Sequence, residues 1–477
     1  MEARSVILAA GVGTRMKSAR PKVAHELLGK PLVRWVVDAA FDAGCGQVHV
    51  VTGTGREVVD PLLTDCTISH QDEMLGTGHT VMCAADALAG FDGTLVVLCG
   101  DAPLVTARTI RTLIDAHDAQ KNAATILTMQ LDDPTGYGRI VRMDSPEAAA
   151  PEAAAGAPDS SYAADSPYAA APVAAIVEER DCTPDQRGIR ECNSGAYCFD
   201  APQLFASLDS LTTDNAQGEY YLTDVIGILI SAGQRVGTVP ADDPRECLGV
   251  NSRSELAHVT SIAQGCINER LMDAGVTMTD PSLVWVGPDV AVGRDCELLP
   301  MTFLMGETSI GGDSRIGPNT RLTDCTVGRN CEIEESVCTE SVIDDDVTVG
   351  PRAYLRPGTH LCRGAHVGTH VELKKTTVGA GSKVPHLTYL GDATLGEGVN
   401  IGAGTITCNY DGRAKHPTKI GDGAFIGSDT MLVAPVSVGA DAVTGASSCI
   451  TKDVPDGALG IERSEQRNVE GYSERHS

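Results

Sequence analysis

The sequence predicts an α/β domain followed by a parallel β-helix, and two periodicities carry this prediction. In the first half, apolar runs of strand length alternate with segments of helical spacing. In the second half, one aliphatic residue recurs every six residues, and glycine often follows it. The recurring positions are Val286, Val292, Leu298, Leu304, Ile310, Ile316 and Leu322, then Ile343, Val349, Leu355, Leu361, Val367 and Leu373, and finally Ile420, Ile426, Leu432 and Val438.

The six-residue period is the hexapeptide signature of a β-helix. One inward aliphatic residue followed by a turn residue suits a short flat strand that bends and repeats. An amphipathic helix would place apolar residues three and four apart, and a hairpin sheet would need longer alternating runs. Aromatic residues make up only 4% of the chain, which fits a core filled by small aliphatic side chains. The repeat predicts architecture, so the chemistry must come from the residues that interrupt it.

The elements of the first half follow the order expected of a parallel α/β sheet. Strands are predicted at 5–9, 47–51 and 94–98, and a helix is predicted at 31–43. Strands that alternate with helices favour a parallel sheet. Ligands bind such sheets at the carboxyl ends of the strands. The loops that begin at Gly11 and at Cys99 are therefore the candidate sites.

An insertion, a linking helix and a C-terminal tail complete the organisation. Residues 144–172 hold twelve Ala and five Pro and predict a flexible insertion, with a short helix over 147–155 as the alternative. A helix is predicted over 254–272. Its apolar face would carry Leu256, Val259, Ala263, Cys266 and Leu271. The predicted boundaries are 1–250 for the α/β domain, 251–275 for the linking helix, 276–455 for the β-helix and 456–477 for a tail that leaves the repeat.

Charge and cysteine content limit the partners and the compartment. The formal net charge is -27, which argues against nucleic acid as a partner. The chain has no apolar run long enough to cross a membrane, and its N-terminal apolar stretch is too short for a signal peptide. The 16 Cys include no Cys-x-x-Cys pair, which argues against zinc and disulfide frameworks and predicts reduced thiols. We therefore expect a cytoplasmic protein without membrane insertion.

The loop after the first predicted strand reads Gly11-Val12-Gly13-Thr14-Arg15. Its glycines let backbone N–H groups approach a phosphate, and Arg15 adds positive charge. It is neither a P-loop nor the dinucleotide fingerprint, because Gly-Lys-Ser/Thr and the third glycine are missing. The loop alone would be read as an ordinary turn.

Longer strings of residues carry a family resemblance. They are Leu8-Ala9-Ala10-Gly11-x-Gly13-Thr14-Arg15-Met16 with Pro21-Lys22, Gln71-x-x-x-x-Gly76-Thr77-Gly78-His79, Cys99-Gly100-Asp101-x-Pro103-Leu104, Gly136-Tyr137-Gly138-Arg139, Glu178, and Asn193-Ser194-Gly195. Together they resemble the signature of sugar-1-phosphate nucleotidylyltransferases. With the hexapeptide repeat behind them, the chain resembles the bifunctional N-acetylglucosamine-1-phosphate uridylyltransferase/glucosamine-1-phosphate acetyltransferase family over nearly its whole length. That family implies a Rossmann-like mixed sheet followed by a left-handed β-helix.

The resemblance implies uridylyl transfer in the first domain. N-acetylglucosamine 1-phosphate would attack the α-phosphorus of UTP, and pyrophosphate would leave. Such transfer depends on positioning and charge neutralisation more than on covalent groups. Arg15 would hold the pyrophosphate, and Lys22 the α-phosphate and the sugar phosphate. The implied UTP and sugar contacts are Leu8, Ala9, Gly11, Lys22 and Asn251, with Gln71, Gly76 and Thr77 for uracil and Gly138, Glu178 and Asn193 for the sugar.

The same resemblance implies a magnesium site. Asp101 and Asn251 would bind Mg²⁺, a hard cation that prefers oxygen ligands. On their own, Asp101 would be read as a turn residue and Asn251 as a helix cap. Two positions depart from the family, because Val12 stands where many relatives carry Lys and Cys99 where relatives often carry Tyr.

Residues 352–415 carry polar groups that a bare repeat does not need. The aliphatic period is lost between Ile401 and Ile420, which predicts a loop that leaves the coil. A hexapeptide β-helix with such a polar cluster resembles an acetyl-CoA-dependent acyltransferase. His386 would be the general base, because histidine titrates near neutral pH, and Glu372 would orient it.

The resemblance also implies the remaining contacts of the acetyltransferase. Arg356 and Lys374 would hold the sugar phosphate, and Lys415 would reach a neighbouring subunit. Tyr389 and Asn400 would bind the sugar. Further expected contacts are Asn409 and Tyr410 at the reacting centre and Ala403, Ser428, Ala446 and Arg463 for acetyl-CoA.

These assignments predict a homotrimer that makes UDP-N-acetylglucosamine, a precursor for peptidoglycan, from glucosamine 1-phosphate, acetyl-CoA and UTP. Three alternatives stay open from the sequence. The β-helix could serve only for oligomerisation, as in glucose-1-phosphate adenylyltransferase. The acyltransferase could act on another amino sugar. The chain could also be a non-catalytic subunit, although Arg15, Lys22, Asp101 and His386 argue against that.

Overall fold

The computed structural model of the chain describes residues 2–143 and 171–475. The predicted insertion at 144–172 lies outside these residues except for its last two, and so does its alternative helix. The chain divides into two compact units, Met1–Ile262 and Ala263–Ser477. Within the described residues, no helix is long and apolar enough to cross a membrane. All 16 cysteines are free thiols.

The first unit is built on a mixed sheet. The strands of this unit are β1 (Ala3–Ala9), β2 (Glu26–Leu27), β3 (Lys30–Pro31), β4 (Gln47–Thr52), β5 (Thr67–His70), β6 (Thr94–Cys99), β7 (Ala124–Gln130), β8 (Arg139–Arg142), β9 (Val173–Val177), β10 (Glu191–Asp200) and β11 (Val236–Pro240). Strands β2 and β3 form a separate two-stranded sheet. The main sheet has the order β11-β7-β10-β6-β1-β4-β5. Strands β6, β1, β4 and β5 run parallel, whereas β10 is antiparallel to both neighbours. The three predicted strands are confirmed.

Helices cover both faces of this sheet. They are α1 (Leu32–Asp42), α2 (Arg56–Val59), α3 (Thr77–Met82), α4 (Ala107–Gln120), α5 (Ala201–Leu208) and α6 (Asp224–Ser231). Because side chains alternate along a strand, Ile7 of β1 joins the core cluster of α1 and α4, and Val6 joins that of α5 and α6. The helix predicted at 31–43 is confirmed as α1.

The next helix, α7 (Arg253–Asp273), requires one correction. Val259, Ala263 and Leu271 are buried as predicted, but Cys266 is exposed. Two polar residues, Gln264 and Asn268, lie on the buried face. Their side-chain amides donate hydrogen bonds to the carbonyl of Val284, both at 2.8 Å. Polar side chains whose amide groups donate to the backbone therefore replace part of the expected apolar stripe, which a pattern of apolar spacing does not reveal.

The second unit is a left-handed β-helix whose short parallel strands form three faces. Face 1 contains Thr277–Met278, Glu297–Leu298, Arg315–Ile316, Glu332–Ile333, Thr348–Val349, His366–Thr369, Lys383–His386, Asn400–Ile401, Phe425–Ile426, Val443–Thr444 and Leu459–Gly460. Face 2 contains Val284–Val286, Thr302–Met305, Arg321–Thr323, Val337–Thr339, Tyr354–Leu355, Glu372–Lys374, Tyr389–Gly391, Ile406–Cys408, Met431–Val433 and Cys449–Ile450. Face 3 contains Ala291–Val292, Ser309–Ile310, Thr326–Val327, Val342–Ile343, His360–Leu361, Thr377–Val378, Ala393–Leu395, Thr418–Ile420 and Val436–Val438.

The predicted aliphatic period forms the core of the β-helix. Every position in it is buried except Val292, which is half-buried near the start of the solenoid. Two boundaries differ from the prediction. The period continues through buried Thr407, so the excursion covers only 409–417 rather than the whole interval from Ile401 to Ile420. The strand Leu459–Gly460 pairs with Val443–Thr444, so the ladder extends past 455.

Candidate active sites

The glycine-rich loop after β1 packs against Lys22. Gly13 has a φ of 68°, and a Cβ placed there would lie 2.5 Å from the Cβ of Lys22. Only glycine fits that approach, so the loop and Lys22 are held together. Arg15, in the turn Thr14–Met16, is exposed and forms no ion pair with any described residue. Val12 is also exposed.

Lys22 lies between the two predicted magnesium ligands. Its Nζ forms an ion pair with Asp101 Oδ2 and lies 3.0 Å from Asn251 Oδ1. The side chains of Lys22 and Asp101 are only 12% and 19% exposed. Asp101 follows β6 beside the end of β1, because Leu8 pairs with Cys99. Two oxygen donors from distant parts of the sequence therefore converge on one cation.

The structure shows which residue caps the helix that follows Asn251. Helix α7 is capped by Ser252, whose Oγ accepts a hydrogen bond from the N–H of Glu255 at 3.2 Å. The Glu255 carboxylate in turn accepts from the N–H of Asn251 at 2.7 Å, in the manner of a capping box. The Asn251 side chain is thus not the cap.

A cleft of about 230 Å³ opens beside Lys22 and Asp101. It is lined by seven of the predicted residues, which are Leu8, Gly11, Lys22, Gln71, Gly76, Thr77 and Asp101. Ala9 is buried in the core, and Ala10 lines the cleft instead. The sequence analysis also missed Val23, Met74, Thr80, Cys99 and Glu219. Apart from Cys99, these residues belong to no motif, so one sequence offers no signal for them.

Gln71 is fully engaged within its own loop. Its Nε2 donates to the Gly76 carbonyl at 3.2 Å and lies 2.9 Å from His79 Nδ1. Its Oε1 accepts from Thr80 Oγ1 at 3.0 Å. The side chain is buried, so one acceptor lone pair is left for a ligand. Gln71 therefore also shapes the loop that presents Gly76 and Thr77.

The three predicted sugar contacts are neighbours. A Cβ on Gly138 would lie 3.5 Å from both Glu178 Oε2 and Asn193 Cβ. Burial raises the pKa of Glu178, while Thr223 Oγ1 donates to its carboxylate at 3.1 Å. Asn193 donates to the Tyr197 hydroxyl at 2.6 Å. Thr223 and Tyr197 fix the site from behind, and no motif in the sequence indicated either of them.

In the β-helix, His386 and three predicted acetyl-CoA contacts form one column along the corner between faces 1 and 2. Each residue precedes a residue with positive φ at that corner. Backbone hydrogen bonds link successive coils, from Gly404 N–H to the His386 carbonyl, from Asp429 to Ala403 and from Ser447 to Ser428. We call His386, Ala403, Ser428 and Ala446 the corner column. His386 is exposed, and Arg463 donates to the Ala446 carbonyl at 3.1 Å.

Face 2 carries the charged groups beside this column. Arg356 Nη1 donates to Glu372 Oε1 at 2.8 Å, and Glu372 pairs in register with Tyr389. Glu372 was expected to orient His386, and in the described residues its hydrogen bond is to Arg356. The six-residue period alone does not reveal that Glu372 lies on face 2 and His386 on face 1.

Two lysines meet on the same face. The ammonium group of Lys415 interacts with that of Lys374 and, together with partial desolvation and Arg356, lowers the pKa of Lys374. Lys415 was expected to reach a neighbouring subunit, but here it lies beside Lys374 of its own chain. An isolated β-bridge between Tyr410 and Lys415 closes the excursion. Arg356, Lys374 and Lys415 thus form a cluster of positive charge of the kind that binds anions.

Asn409 is fixed at the base of the excursion. Its Nδ2 donates to Asp392 Oδ2 at 2.6 Å. A Cβ on Gly391 would lie 2.5 Å from both Asn409 Nδ2 and the Tyr389 hydroxyl. The absence of a side chain there lets Tyr389 and Asn409 approach each other. Tyr410 is exposed, and Asn400 lies on face 1, paired in register with Lys383 and Phe425.

Comparison with known proteins covers both units. Residues 5–187 match the family model of the MobA-like NTP transferase domain. Residues 417–452 match the hexapeptide repeat of succinyl-transferase. These two matches agree with the mixed sheet and with the β-helix.

Full-length relatives share the same organisation. The chain is 50% identical to the bifunctional protein GlmU of Heliobacterium modesticaldum, over 98% of this chain and 97% of the relative. It is 45% identical to that of Trichlorobacter lovleyi, over the same shares. It is 46% identical to that of Clostridium perfringens, over 99% of this chain and 98% of the relative.

Proposed function

The chain belongs to the family of bifunctional GlmU proteins, and from this premise we infer how its two units catalyse consecutive transfer reactions. The protein is a bifunctional enzyme that makes UDP-N-acetylglucosamine for peptidoglycan synthesis. It acetylates glucosamine 1-phosphate with acetyl-CoA, then transfers a uridylyl group from UTP to N-acetylglucosamine 1-phosphate. We assign uridylyl transfer to 1–250 and the linking helix to 251–275. Acetyl transfer is assigned to the β-helix from 276 to 460, with a tail from 461, because Leu459–Gly460 still pairs with the ladder.

The convergence of Lys22, Asp101 and Asn251 beside the cleft carries the uridylyl assignment. A phosphate oxygen of the sugar phosphate attacks the α-phosphorus of UTP. The new P–O bond forms as the α–β anhydride bond breaks, and pyrophosphate leaves with the bonding electrons. Lys22 stabilises the charge on the transferred phosphate, while exposed Arg15 is free to hold pyrophosphate. The half-buried position of Lys22 strengthens this interaction.

Asp101 and Asn251 are the proposed Mg²⁺ ligands. Their fit rests on chemistry, since both present oxygen atoms and both already surround the Lys22 ammonium. When bound, Mg²⁺ would neutralise phosphate charge. Asp101 supplies the negative charge of this pair, and Asn251 supplies a neutral oxygen that its capping neighbour Ser252 leaves available.

The substrates of the first unit would meet its remaining contacts around the cleft. Gly76 and Thr77 present the uracil-reading loop, and Gln71 supports that loop and offers one acceptor. Glu178 and Asn193 would exchange hydrogen bonds with the N-acetylated sugar, and Gly138, which has no side chain, leaves room for it. Because each of these side chains is held by a protein partner, the site is preorganised.

The corner column carries the acetyl assignment. The glucosamine nitrogen attacks the thioester carbonyl, a C–N bond forms, and the C–S bond breaks. His386 takes the proton from nitrogen, and the CoA sulfur leaves as thiolate. Adjacent coils of a parallel sheet lie about 4.8 Å apart, so three steps from His386 to Ala446 span about 14 Å. The extended arm of CoA can follow Ala403, Ser428 and Ala446 towards Arg463.

The cations on face 2 would bind the sugar phosphate. Arg356, Lys374 and Lys415 lie together in one chain. Mutual repulsion between Lys374 and Lys415 is relieved when a dianionic phosphate binds between them. Tyr389 and Asn409 lie beside this group and would contact the sugar ring, with Asn400 and Tyr410 as the outer contacts.

We further propose a cytoplasmic homotrimer that does not bind nucleic acid. The free thiols suit a reducing compartment, and the negative charge of the chain disfavours nucleic acid. Phe425, Val443 and Leu459 pair in register on face 1 and are 49%, 38% and 61% exposed. A copy of the same chain would cover this apolar ladder. Light scattering should give three times the chain mass, and a monomer would refute the assembly.

A paired assay on the full-length enzyme with Mg²⁺ tests the proposal. One reaction contains glucosamine 1-phosphate and acetyl-CoA without UTP, and free CoA thiol is followed. The other contains N-acetylglucosamine 1-phosphate and UTP, and pyrophosphate is followed, with and without a metal chelator. We expect product in both and loss of only the pyrophosphate signal with chelator. A pyrophosphate signal that survives chelation would refute the magnesium site, and absence of thiol would refute the corner column.

A further inference from the structure

The corner that follows face 3 has a strict pattern with one interruption. The residue directly after each face-3 strand is, in order, Gly293, Gly311, Gly328, Asp344, Cys362, Gly379, Gly396, Gly421 and Gly439. Seven of these nine residues are glycine. The two exceptions, Asp344 and Cys362, lie on adjacent coils, and both carry side chains that bind metals.

Glycine recurs at this corner because the next coil leaves no room for a side chain. A Cβ on Gly293 would lie 2.5 Å from the Gly312 nitrogen, and one on Gly379 would lie 2.0 Å from the Gly396 oxygen. These are backbone atoms, which cannot move away like a flexible side chain. The backbone around Asp344 and Cys362 must therefore differ locally to accommodate two side chains in succession.

A third side chain completes a cluster at this position. His360 lies on the strand that ends before Cys362, and its Nε2 is 3.0 Å from Asp344 Oδ1. The ligating atoms of Asp344, His360 and Cys362 all lie within 4.8 Å of one another, and all three residues are half-buried. Among the described residues, this is the one group of three or more His, Cys, Asp or Glu side chains that converges this closely.

We propose that Asp344, His360 and Cys362 bind one zinc-like transition-metal ion at the corner of the β-helix that follows face 3, a different corner from that of the corner column. A carboxylate oxygen, an imidazole nitrogen and a thiolate are ligands that Zn²⁺ accepts together. Tetrahedral bonds of 2.0–2.3 Å place the ligands about 3.3–3.8 Å apart. The widest separation, at most 4.8 Å, must therefore shorten by up to about 1 Å, and the 3.0 Å contact between His360 and Asp344 must open slightly. Water would take the fourth position, since the cluster is partly open to solvent.

The surroundings and the connectivity favour a cation. The carboxylates of Asp344 and Glu397 act electrostatically on the Cys362 thiol and give its surroundings negative charge. The three ligands come from two successive coils, because Val342 pairs with His360. A bound ion would therefore join two coils and stabilise the folded chain. No Cys-x-x-Cys motif marks this cluster in the sequence, because only the coiling of the chain brings the three ligands together.

Metal-free full-length enzyme provides the test. Co²⁺ is titrated first, because a bound thiolate gives a near-ultraviolet charge-transfer band, and Zn²⁺ is then used to displace it. We expect one equivalent per chain with that band. Cys362→Ser should abolish the band and weaken Zn²⁺ binding at least tenfold, and His360→Ala should weaken it similarly. Wild-type thermal stability should rise with Zn²⁺, and that of Cys362→Ser should not.

Two controls make the result specific. Cys449→Ser removes an exposed thiol elsewhere on the β-helix and should leave the band unchanged. His416→Ala alters a second His–Asp pair, in which the imidazole Nε2 lies 2.8 Å from Asp411 Oδ2. No third metal-binding side chain converges on that pair among the described residues, so this variant should also leave the band unchanged. A wild-type chain that binds no Co²⁺, or a band that persists in Cys362→Ser, would overturn the proposal. Neither outcome bears on uridylyl or acetyl transfer, which use other residues.

Discussion

Replacing Asp101 by Asn tests the centre of the uridylyl site with the least change in shape. The substitution keeps an oxygen acceptor for Lys22 but removes the negative charge that faces it. Because Asp101 would be the charged ligand of Mg²⁺, we expect pyrophosphate release to fall at least 100-fold, which is about 2.7 kcal/mol of transition-state stabilisation. Acetyl transfer should stay within about twofold of wild type, since it depends on the other unit.

The effect of the substitution on stability should be smaller than its effect on activity. Exposed ion pairs contribute about 0–1 kcal/mol, and breaking fully buried pairs costs about 3–5 kcal/mol. The Lys22 and Asp101 side chains are 12% and 19% exposed, and Asn still accepts a hydrogen bond. We therefore expect a loss of about 1–2 kcal/mol, seen as a decrease of about 2–8 °C in the unfolding of the first unit.

The assay follows pyrophosphate and free CoA thiol separately in each variant, with thermal unfolding as the measure of folding. Asp242→Asn is the matched control, because Asp242 pairs with Arg108 on the surface, where both side chains are more than 70% exposed. It should change neither reaction. If Asp101→Asn retained more than one third of the pyrophosphate rate, Asp101 would be only a partner of Lys22. If both reactions failed in a folded variant, the assignment of two independent sites would be wrong.

Three further substitutions address the other contacts. His386→Ala should reduce CoA release at least 100-fold and leave pyrophosphate release unchanged; equal loss of both would contradict its role as general base. Gly76→Ala should raise the KM for UTP and destabilise the protein, because a Cβ there would lie 2.6 Å from the Tyr220 oxygen at a φ of 104°. The control Gly90→Ala is also at positive φ but in open space, so it should lower the free energy of unfolding by only about 1–2 kcal/mol. Burial raises the pKa of Glu178, so the folded protein holds that proton more tightly and loses stability as pH rises from the unfolded pKa. Glu178→Gln should therefore raise the unfolding temperature at pH 7 but not below about pH 4, while it weakens sugar binding. An equal shift of the unfolding temperature at both pH values would exclude titration of Glu178 as the cause.

Sequence patterns predicted those parts of the molecule in which local spacing determines structure. The six-residue period located the core of the β-helix, and Ser5–Ala9 and the first helix were located because their apolar spacing matches one buried surface. The pattern failed where polar groups take core positions. Thr407 occupies an inward position of the coil, and Gln264 and Asn268 occupy the buried face of α7. Each makes hydrogen bonds to backbone carbonyls within the protein.

The candidate sites show the same division. Motif strings grouped Lys22, Asp101 and Gln71 correctly around one cleft, but they could not reveal that Lys22 bridges the two proposed metal ligands. That contact joins residues more than two hundred positions apart and depends on the sheet. Thr223 was missed for the same reason, since its partner Glu178 follows β9, far from it in sequence. Tyr197 is only four residues from Asn193 on β10, but it belongs to no motif string.

In the β-helix, coiling converts sequence distance into columns, and the columns carry the chemistry. His386, Ala403, Ser428 and Ala446 are unevenly spaced in sequence because the excursion at 409–417 lengthens one coil, yet backbone hydrogen bonds place them one above another. Asp344 and Cys362 are aligned in the same way at another corner. A residue that interrupts a glycine column must be accommodated against the next coil. Side chains at such positions can therefore form a binding site without changing the core of the β-helix. In a β-helix, residues aligned on successive coils thus indicate function better than short sequence motifs do.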